Sequence, residues 1–373
     1  MKKILVFFTF NTSLNDWKNC GILERELSYY YRLSKNNDIK FEFLTYGSDS
    51  DLEIIIDKSI TINPIFKNQN KSISKISIFF KSLFYIFKNR NYFFQFDIYK
   101  TNQNYGSWMA VLSKLLYKKK LISRCGYDLF HFATLEKRIF KSLISYFICT
   151  IIYNFADVVF VPSGYYKLFV NKFFFINKSK IHVIPNFVDT LKFNYINTNR
   201  FTNRVIFLGR LEHQKNLKNI IDIFTNNNFY LDVYGNGSQK KILSDYANKN
   251  KSNITFNNRI NNEEIPDLLN KYNYLILFST YEGNPKILLE AMSCSLCVIG
   301  SNVIGIKDII SHNQNGLIFN LNSADKIIKT ISKITNDDLL RLKNNARRTI
   351  VDNFSLNITS NKELKILHNL INN

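Results

Sequence analysis

The chain has 373 residues, too many for one ordinary core and few for three, so two domains are expected. Apolar residues make up 46% and aromatics 15%, with only 12 Gly and 5 Pro, which excludes a disordered, collagen-like or linker-like chain. Fifty basic against 29 acidic residues leave a net charge of +21, and five cysteines, an odd number, do not make a disulfide framework.

Lys2 and Lys3 precede the apolar run Ile4 to Phe10, but no small-residue cleavage site follows, and Asp16 and Lys18 come soon after. The run reads as a first buried strand, Lys3 to Thr9, and no secretory signal is expected. Gly21 to Leu33 is a predicted helix and Lys40 to Thr45 a second strand. From 58 to 124 there are thirteen Lys or Arg against one acid, Asp97. Aromatics interleave them, most densely from Ile76 to Lys88. A basic amphipathic helix of this kind suits an anionic membrane surface, at about 1 kcal/mol of attraction per near-surface cation. The same composition follows from an AT-rich gene, since Lys outnumbers Arg 38 to 12, and Phe at helical spacing often serves a core. Charge alone admits nucleic acid, but no reading motif accompanies it, so none is expected.

Ser107 to Tyr117 is the next helix, and Leu121 to Arg124 and Asp157 to Val161 are short apolar runs bounded by turn residues. The longest uncharged apolar run, Ser142 to Tyr153, falls short of the roughly 18 to 20 residues of a spanning helix. The expectation is a soluble intracellular protein with a basic surface. His182 to Asn186 resembles a strand leaving the first domain, and the polar stretch Asn194 to Asn203 is the best linker. The pattern then restarts. Val205 to Leu208, Phe229 to Tyr234, Ile254 to Phe256, Tyr274 to Phe278 and Cys297 to Gly300 are strands, with helices from Asn216, after Gly237 and from Asn284 to Met292. Alternation of this kind predicts an α/β chain of two doubly wound, Rossmann-like domains facing across a cleft, with ligands beyond the carboxyl ends of the strands. The expected boundaries are 1–195, 196–355 and a terminal helix over 356–373 that crosses back to the first domain.

The most informative stretch is Ser279 to Met292. Asn284 suits an N-cap and Pro285 the first helical position. The N–H groups of Lys286 and Ile287, with the helix dipole, make an anion site. Glu282 lies before the helix and Glu290 two turns into the motif, separated by seven residues, so the two acids could grip opposite ends of one ligand. Spacing alone also admits two ordinary glutamates, one capping and one solvated. The second signal is Phe207 to Asn216. A strand ends at Gly209, and Arg210 and Lys215 follow in the loop, suited to a diphosphate. They could equally be two surface cations of a lysine-rich protein.

These stretches together resemble the retaining glycosyltransferases of family 4, with the GT-B architecture. The resemblance is carried by Gly209-Arg210 with Lys215, Gly235-Asn-Gly237, the glutamate pair Glu282 and Glu290, Ile181 to Asp189, and Asn315-Gly-Leu-Ile318. It covers about residues 180 to 320 well. The first half matches more weakly, through its opening strand, Gly21-Ile-Leu-Glu-Arg25 and Lys100-Thr-Asn-Gln103. The resemblance implies a nucleotide-sugar donor bound by the carboxyl-terminal domain. Arg210 and Lys215 would neutralise the diphosphate, Glu290 would hold the ribose hydroxyls and Glu282 those of the donor sugar. Backbone N–H groups after Gly283 would face sugar and phosphate, in the donor-binding stretch Asn284, Pro285, Lys286 and Ile287, where the proline itself donates none. Phe256 to Ile260, with Arg259, would border the base. No metal or other cofactor is implied, because cations and the helix end stabilise the leaving group. Transfer would retain configuration by front-side attack, with the leaving phosphate helping to take the acceptor's proton.

The chain departs from the family in three places. Gly21 stands alone where relatives have two glycines in the first loop. Arg124-Cys-Gly-Tyr-Asp128 stands where many carry a histidine near the donor sugar, leaving Asp128 or Arg124 as the substitute, with His131 packed on a helix. Ser295 and Cys297 replace a Gly and a Pro. Two other motifs are set aside. Cys294 and Cys297 have knuckle spacing, but no second ligand pair follows, so they read as structural. Asp49-Ser-Asp51 looks like a metal-binding pair but reads as a solvated loop. The expected partners are a nucleotide-sugar and a lipid-linked glycan acceptor of surface polysaccharide assembly, at the inner face of an anionic membrane. The alternatives are a GT-B synthase with a soluble acceptor, and a non-catalytic protein binding sugar nucleotides or nucleic acid.

Overall fold

The apolar run near the amino terminus forms β1 (Lys2–Phe7), buried from Ile4 onward as a central parallel strand must be. The computed structural model describes residues 1–35, 38–67, 74–126 and 128–372. After β1 come α1 (Leu14–Asn19), α2 (Leu23–Ser34), β2 (Ile39–Thr45), β3 (Ile60–Pro64), α3 (Lys75–Lys88), α4 (Arg90–Phe94), β4 (Ile98–Thr101) and α5 (Trp108–Tyr117). They are followed by β5 (Lys120–Arg124), α6 (Leu129–Leu135), α7 (Ile139–Phe155), β6 (Val158–Val161), α8 (Gly164–Phe174) and β7 (Ile181–Val183). The described strands form one parallel sheet in the order β3-β2-β1-β4-β5-β6-β7.

A second parallel sheet has the order β10-β9-β8-β11-β12-β13. Its elements are β8 (Phe201–Leu208), α9 (Leu217–Ile223), β9 (Tyr230–Tyr234), α10 (Lys240–Lys249), β10 (Ile254–Asn257), α11 (Ile265–Leu269) and β11 (Tyr272–Leu277). Then follow α12 (Lys286–Ser293), β12 (Cys297–Ser301), β13 (Leu317–Phe319), α13 (Lys326–Ile331), α14 (Asn336–Asn353) and α15 (Leu356–Asn372). Its strands supply near-continuous apolar runs to one core, including Val205 to Phe207, Leu275 to Phe278 and Cys297 to Ile299.

The chain divides into two compact units, Met1–Pro185 with Ser360–Asn373, and Asn186–Thr359. α15 therefore starts in the second unit and, from Ser360, belongs to the first. There Glu363 is fully buried, pairs with the buried Lys100 of β4 and accepts from Tyr29 OH at 2.7 Å. The expected helix from Gly21 is preceded by an extra one. α1 forms because Ser13 and Asp16 make a reciprocal capping box, with Asp16 N donating to Ser13 Oγ at 3.1 Å and Ser13 N to Asp16 Oδ2 at 2.7 Å.

Candidate functional site

In the second sheet the strand order reverses between β8 and β11. Loops that leave neighbouring strands at such a point diverge and open a crevice at the strands' carboxyl ends. The loop after β8 carries Gly209, Arg210 and Lys215, and the loop after β11 carries Ser279 to Pro285. Because all the strands are parallel, Arg259, just past β10, leaves by the same edge. Gly209 N donates to Tyr234 O at 3.0 Å and Leu211 N to Asn236 O at 2.9 Å, tying the first loop to the one after β9. Gly235 has φ +150°, and a Cβ there would fall 1.9 Å from Gly209 O, so the approach requires glycine.

The two loops are stitched together through Gln214. Thr280 N donates to Gln214 O at 2.8 Å, and Gln214 Nε2 donates to Tyr281 O at 2.8 Å. Across this seam Lys215 Nζ pairs with Glu282 Oε1 at 2.5 Å. Ser279 Oγ donates to the same oxygen at 2.6 Å, leaving Oε2 without a hydrogen bond among the described residues. Glu282 is only 8% exposed, so its position is set by these partners rather than by solvent. Ser301 Oγ, from the end of β12, donates to Ser279 O at 2.6 Å. Gly305, at φ +85°, presses on the backbone of Glu282 and Gly283, where a Cβ would lie 2.4 Å from Gly283 O.

α12 begins one residue later than expected, with Pro285 as its N-cap. The reason is that Asn284 is used elsewhere. Its Oδ1 accepts from Asn186 N at 3.2 Å and its backbone O from Asn186 Nδ2 at 2.6 Å. Lys286, Ile287 and Glu290 lie on α12, half-buried, while Arg210 and Arg259 are exposed. Two cations, a braced carboxylate and a helix start thus share one crevice edge. That set can hold a phosphorylated ligand at the cations and accept hydroxyls at the acid.

The family described as Glycosyl transferases group 1 matches residues 192–349, and Glycosyltransferase Family 4 matches residues 36–192. The chain belongs to the family 4 type of GT-B glycosyltransferases. A Campylobacter jejuni relative, a GalNAc-alpha-(1->4)-GalNAc-alpha-(1->3)-diNAcBac-PP-undecaprenol alpha-1,4-N-acetyl-D-galactosaminyltransferase, is 28% identical over 237 residues, 61% of this chain and 64% of its own. The UDP-Gal:alpha-D-GlcNAc-diphosphoundecaprenol alpha-1,3-galactosyltransferase of Escherichia coli is 28% identical over 209 residues, 49% of this chain and 52% of its own. The chain therefore spans less than two thirds of the length of either enzyme. Among solved structures, Anabaena HepE in complex with UDP superposes with a TM-score of 0.76 over 99% of this chain and 100% of that one, at 14% identity, a likeness of fold.

In this family member the first-unit candidates have other surroundings. Gly21, φ +66°, makes the turn between α1 and α2, where its N donates to Lys18 O at 2.9 Å. The loop that leaves β1 is closed by Gly106, which sequence reasoning passed over. A Cβ there would lie 2.6 Å from Phe10 N, which donates to Tyr105 O at 3.0 Å. Arg124 ends β5, is buried, and sets its guanidinium 5.4 Å from the Tyr29 ring centroid. Its neighbour in the motif, Tyr127, lies outside the described residues. Asp128 is the buried N-cap of α6. Its Oδ1 accepts from His131 N at 2.7 Å and its Oδ2 from Tyr153 OH at 2.6 Å, so both oxygens are engaged within the unit, and burial raises its pKa. His131 packs on Tyr166 and Phe169, with ring centroids 5.4 and 4.9 Å away, and burial lowers its pKa.

Cys294 caps the end of α12 and Cys297 opens β12, both buried, with thiols that burial pushes up to about 12. The solvated loop expected at Asp49 to Asp51 is a correction. Asp51 is fully buried and accepts from Leu14 N at 3.1 Å, Asn15 N at 3.2 Å and Thr45 Oγ1 at 2.6 Å. It holds the start of α1, an element the sequence reading did not anticipate. Among the described residues no group of three or more His, Cys, Asp or Glu is placed to hold a metal ion. Of the sequence-named residues, the structure gathers Gly209, Arg210, Lys215, Arg259 and Glu282 to Glu290 on one sheet edge. It adds Gln214, Ser279, Ser301 and Asn186, whose neutral side chains carry no signal in a single sequence.

Proposed function

We propose that this protein transfers a sugar, with retention, from a nucleoside diphosphate donor to a hydroxyl of a lipid-linked glycan at a membrane surface. The observation that carries the reading is the Lys215–Glu282 pair spanning the two loops of the β8/β11 crevice. In the structure each group satisfies the other. A donor diphosphate would compete for Lys215, with Arg210 as second cation, and would release Glu282 to accept hydroxyls of the sugar. Glu290 would take the ribose, Arg259 would border the base, and the first turn of α12 after Gly283 and Asn284 would face the phosphate. Charge leaving with the diphosphate then meets cations already in place, so the mechanism asks for no metal. The two bacterial relatives, named for undecaprenyl diphosphate-linked acceptors, support the acceptor class. The test is a screen of UDP-, GDP- and ADP-sugars for nucleotide release without acceptor. Release from one donor supports the reading, and neither binding nor release from any of them overturns it.

A further inference from the structure

A helix at a water interface turns large apolar side chains inward and small polar ones outward. α7 does the reverse. It buries Ser142, Ser145 and Cys149 together with Ile152 and Tyr153, and it exposes Phe140, Leu143, Ile144, Phe147 and Ile151. Phe140 is 78% exposed and Phe147 64%. The cause lies underneath. Tyr153 OH donates to Asp128 Oδ2 at 2.6 Å and accepts from Asn104 Nδ2 at 2.7 Å, while Ser123 Oγ donates to Asn104 Oδ1 at 3.1 Å. The network meets α7 at Tyr153, with Cys149 Sγ 3.9 Å from Asn104 Nδ2, so that side of the helix turns inward and the apolar side is left outside.

The neighbouring helices extend the same surface. α5 packs on both α3 and α7, so the three lie side by side. α3 exposes Phe80, Phe84 and Phe87, and α5 exposes Leu115 and Leu116. Exposed apolar side chains on three helices packed in a row mark an interaction site. Its charges say with what. Between residues 75 and 180 the acids are Asp97, Asp128, Glu136 and Asp157; Asp128 is buried and Glu136 is paired with Arg138 and Lys141. Lys75, Lys81 and Lys88 on α3, and Lys137, Arg138 and Lys141 at the start of α7, are exposed. A second copy carrying the same net charge of +21 would be repelled, whereas anionic headgroups would be drawn to that rim.

We infer that the α3–α5–α7 layer docks on an anionic phospholipid bilayer, with the outer face of α7 seated in the interface and the lysines of α3 and α7 on the headgroups. The inference rests on the reading of a membrane-borne acceptor and adds that α7, whose one charged residue is Lys141 in its first turn, is the inserting element rather than the basic stretch alone. The test is flotation with phosphatidylcholine vesicles, with and without phosphatidylglycerol, alongside nucleotide release from the donor. The wild-type protein should float with the anionic vesicles, less so as salt shortens screening from about 10 Å at 0.1 M to about 3 Å at 1 M. The double variant Phe140→Gln with Phe147→Gln should bind at least about tenfold more weakly and still release nucleotide. Replacing Lys75, Lys81 and Lys88 by Glu should do the same by a separate route. Ile242→Gln, an equally exposed apolar site on α10 in the other unit, should float like the wild type. The inference is overturned if the wild type never floats, or if the Phe variant floats unchanged. It is also overturned if light scattering without vesicles finds a wild-type dimer that the Phe variant abolishes. Loss of nucleotide release in the wild type would instead remove the transferase reading, since flotation is scored independently of it.

Discussion

In the second unit α14 buries Leu342, Ala346 and Ile350 and exposes Asp338, Arg341 and Arg348; in the first, α7 buries serines and a cysteine and exposes phenylalanines. The contrast extends beyond two helices. Every exposed phenylalanine among the described residues except Phe201 belongs to the first unit. Charges are reversed in the same sense. The first unit keeps Lys100, Arg124, Glu26 and Glu363 inside, whereas the second buries Asp232 and Glu282 and keeps the other charges of the crevice half-buried or exposed. The second unit is built like a domain in water, its buried acids held by partners, Asp232 by Arg204 and Glu282 by Lys215. The first has an apolar core of its own but adds buried charges to it and leaves apolar faces on α3, α5 and α7 outside, which fits an element that works against something other than water.

The largest expected effect tests the interior side of that contrast. Glu363→Gln leaves Lys100 buried beside an uncharged amide, and burial already lowers the lysine's pKa. Unfolding of the first unit, followed in denaturant, should lose about 3–5 kcal/mol, and much of it should return when Lys100→Met is combined with Glu363→Leu. A single variant as stable as the wild type would mean that the buried pair is not what fastens α15.

The second effect belongs to the crevice. Glu282→Gln should leave folding and nucleotide affinity near wild type and lower turnover at least tenfold, the consequence of losing a charged contact of about 1.5–3 kcal/mol in the transition state. Unchanged turnover would remove Glu282 from the site. Smaller still is Asp128→Ala, which removes the α6 cap and a partner of Tyr153. Stability should fall by about 1 kcal/mol while turnover per folded molecule holds. A large loss of turnover with stability intact would instead return Asp128 to the chemistry. The smallest effect is none at all: turnover should survive EDTA, and loss with rescue by magnesium would contradict a leaving group stabilised by Arg210 and Lys215.

The residues that meet at the β8/β11 crevice were legible in the sequence and much of the first unit was not, for physical reasons. A loop that meets phosphate must spend glycines and cations at fixed distances from strand ends, so Gly209, Arg210, Lys215 and Glu282 stand out in one dimension. The strand–helix alternation likewise predicted two parallel sheets, but not the short strands β3, β4 and β13 within them. Asn284 was misread as a cap because its competing partner, Asn186, lies 98 residues away. Asp51 was misread as solvated because α1, whose start it holds, has only six residues and a weak pattern. Ser142 to Tyr153, the greater part of α7, was seen as an uncharged apolar run, but which face it buries is decided with Asp128, Asn104 and Ser123 on other elements. No periodicity within residues 139–155 contains that information.

The account's central claim is that Lys215 and Arg210 receive a diphosphate at the β8/β11 crevice. Calorimetric titration tests it most directly, using the nucleoside diphosphate selected by the donor screen and its parent nucleoside. Lys215→Ala and Arg210→Ala should each weaken the diphosphate by about tenfold or more, as the loss of a charge-assisted partner requires, and should leave the nucleoside nearly unchanged. Equal losses for both ligands, or none for either, would contradict the assignment.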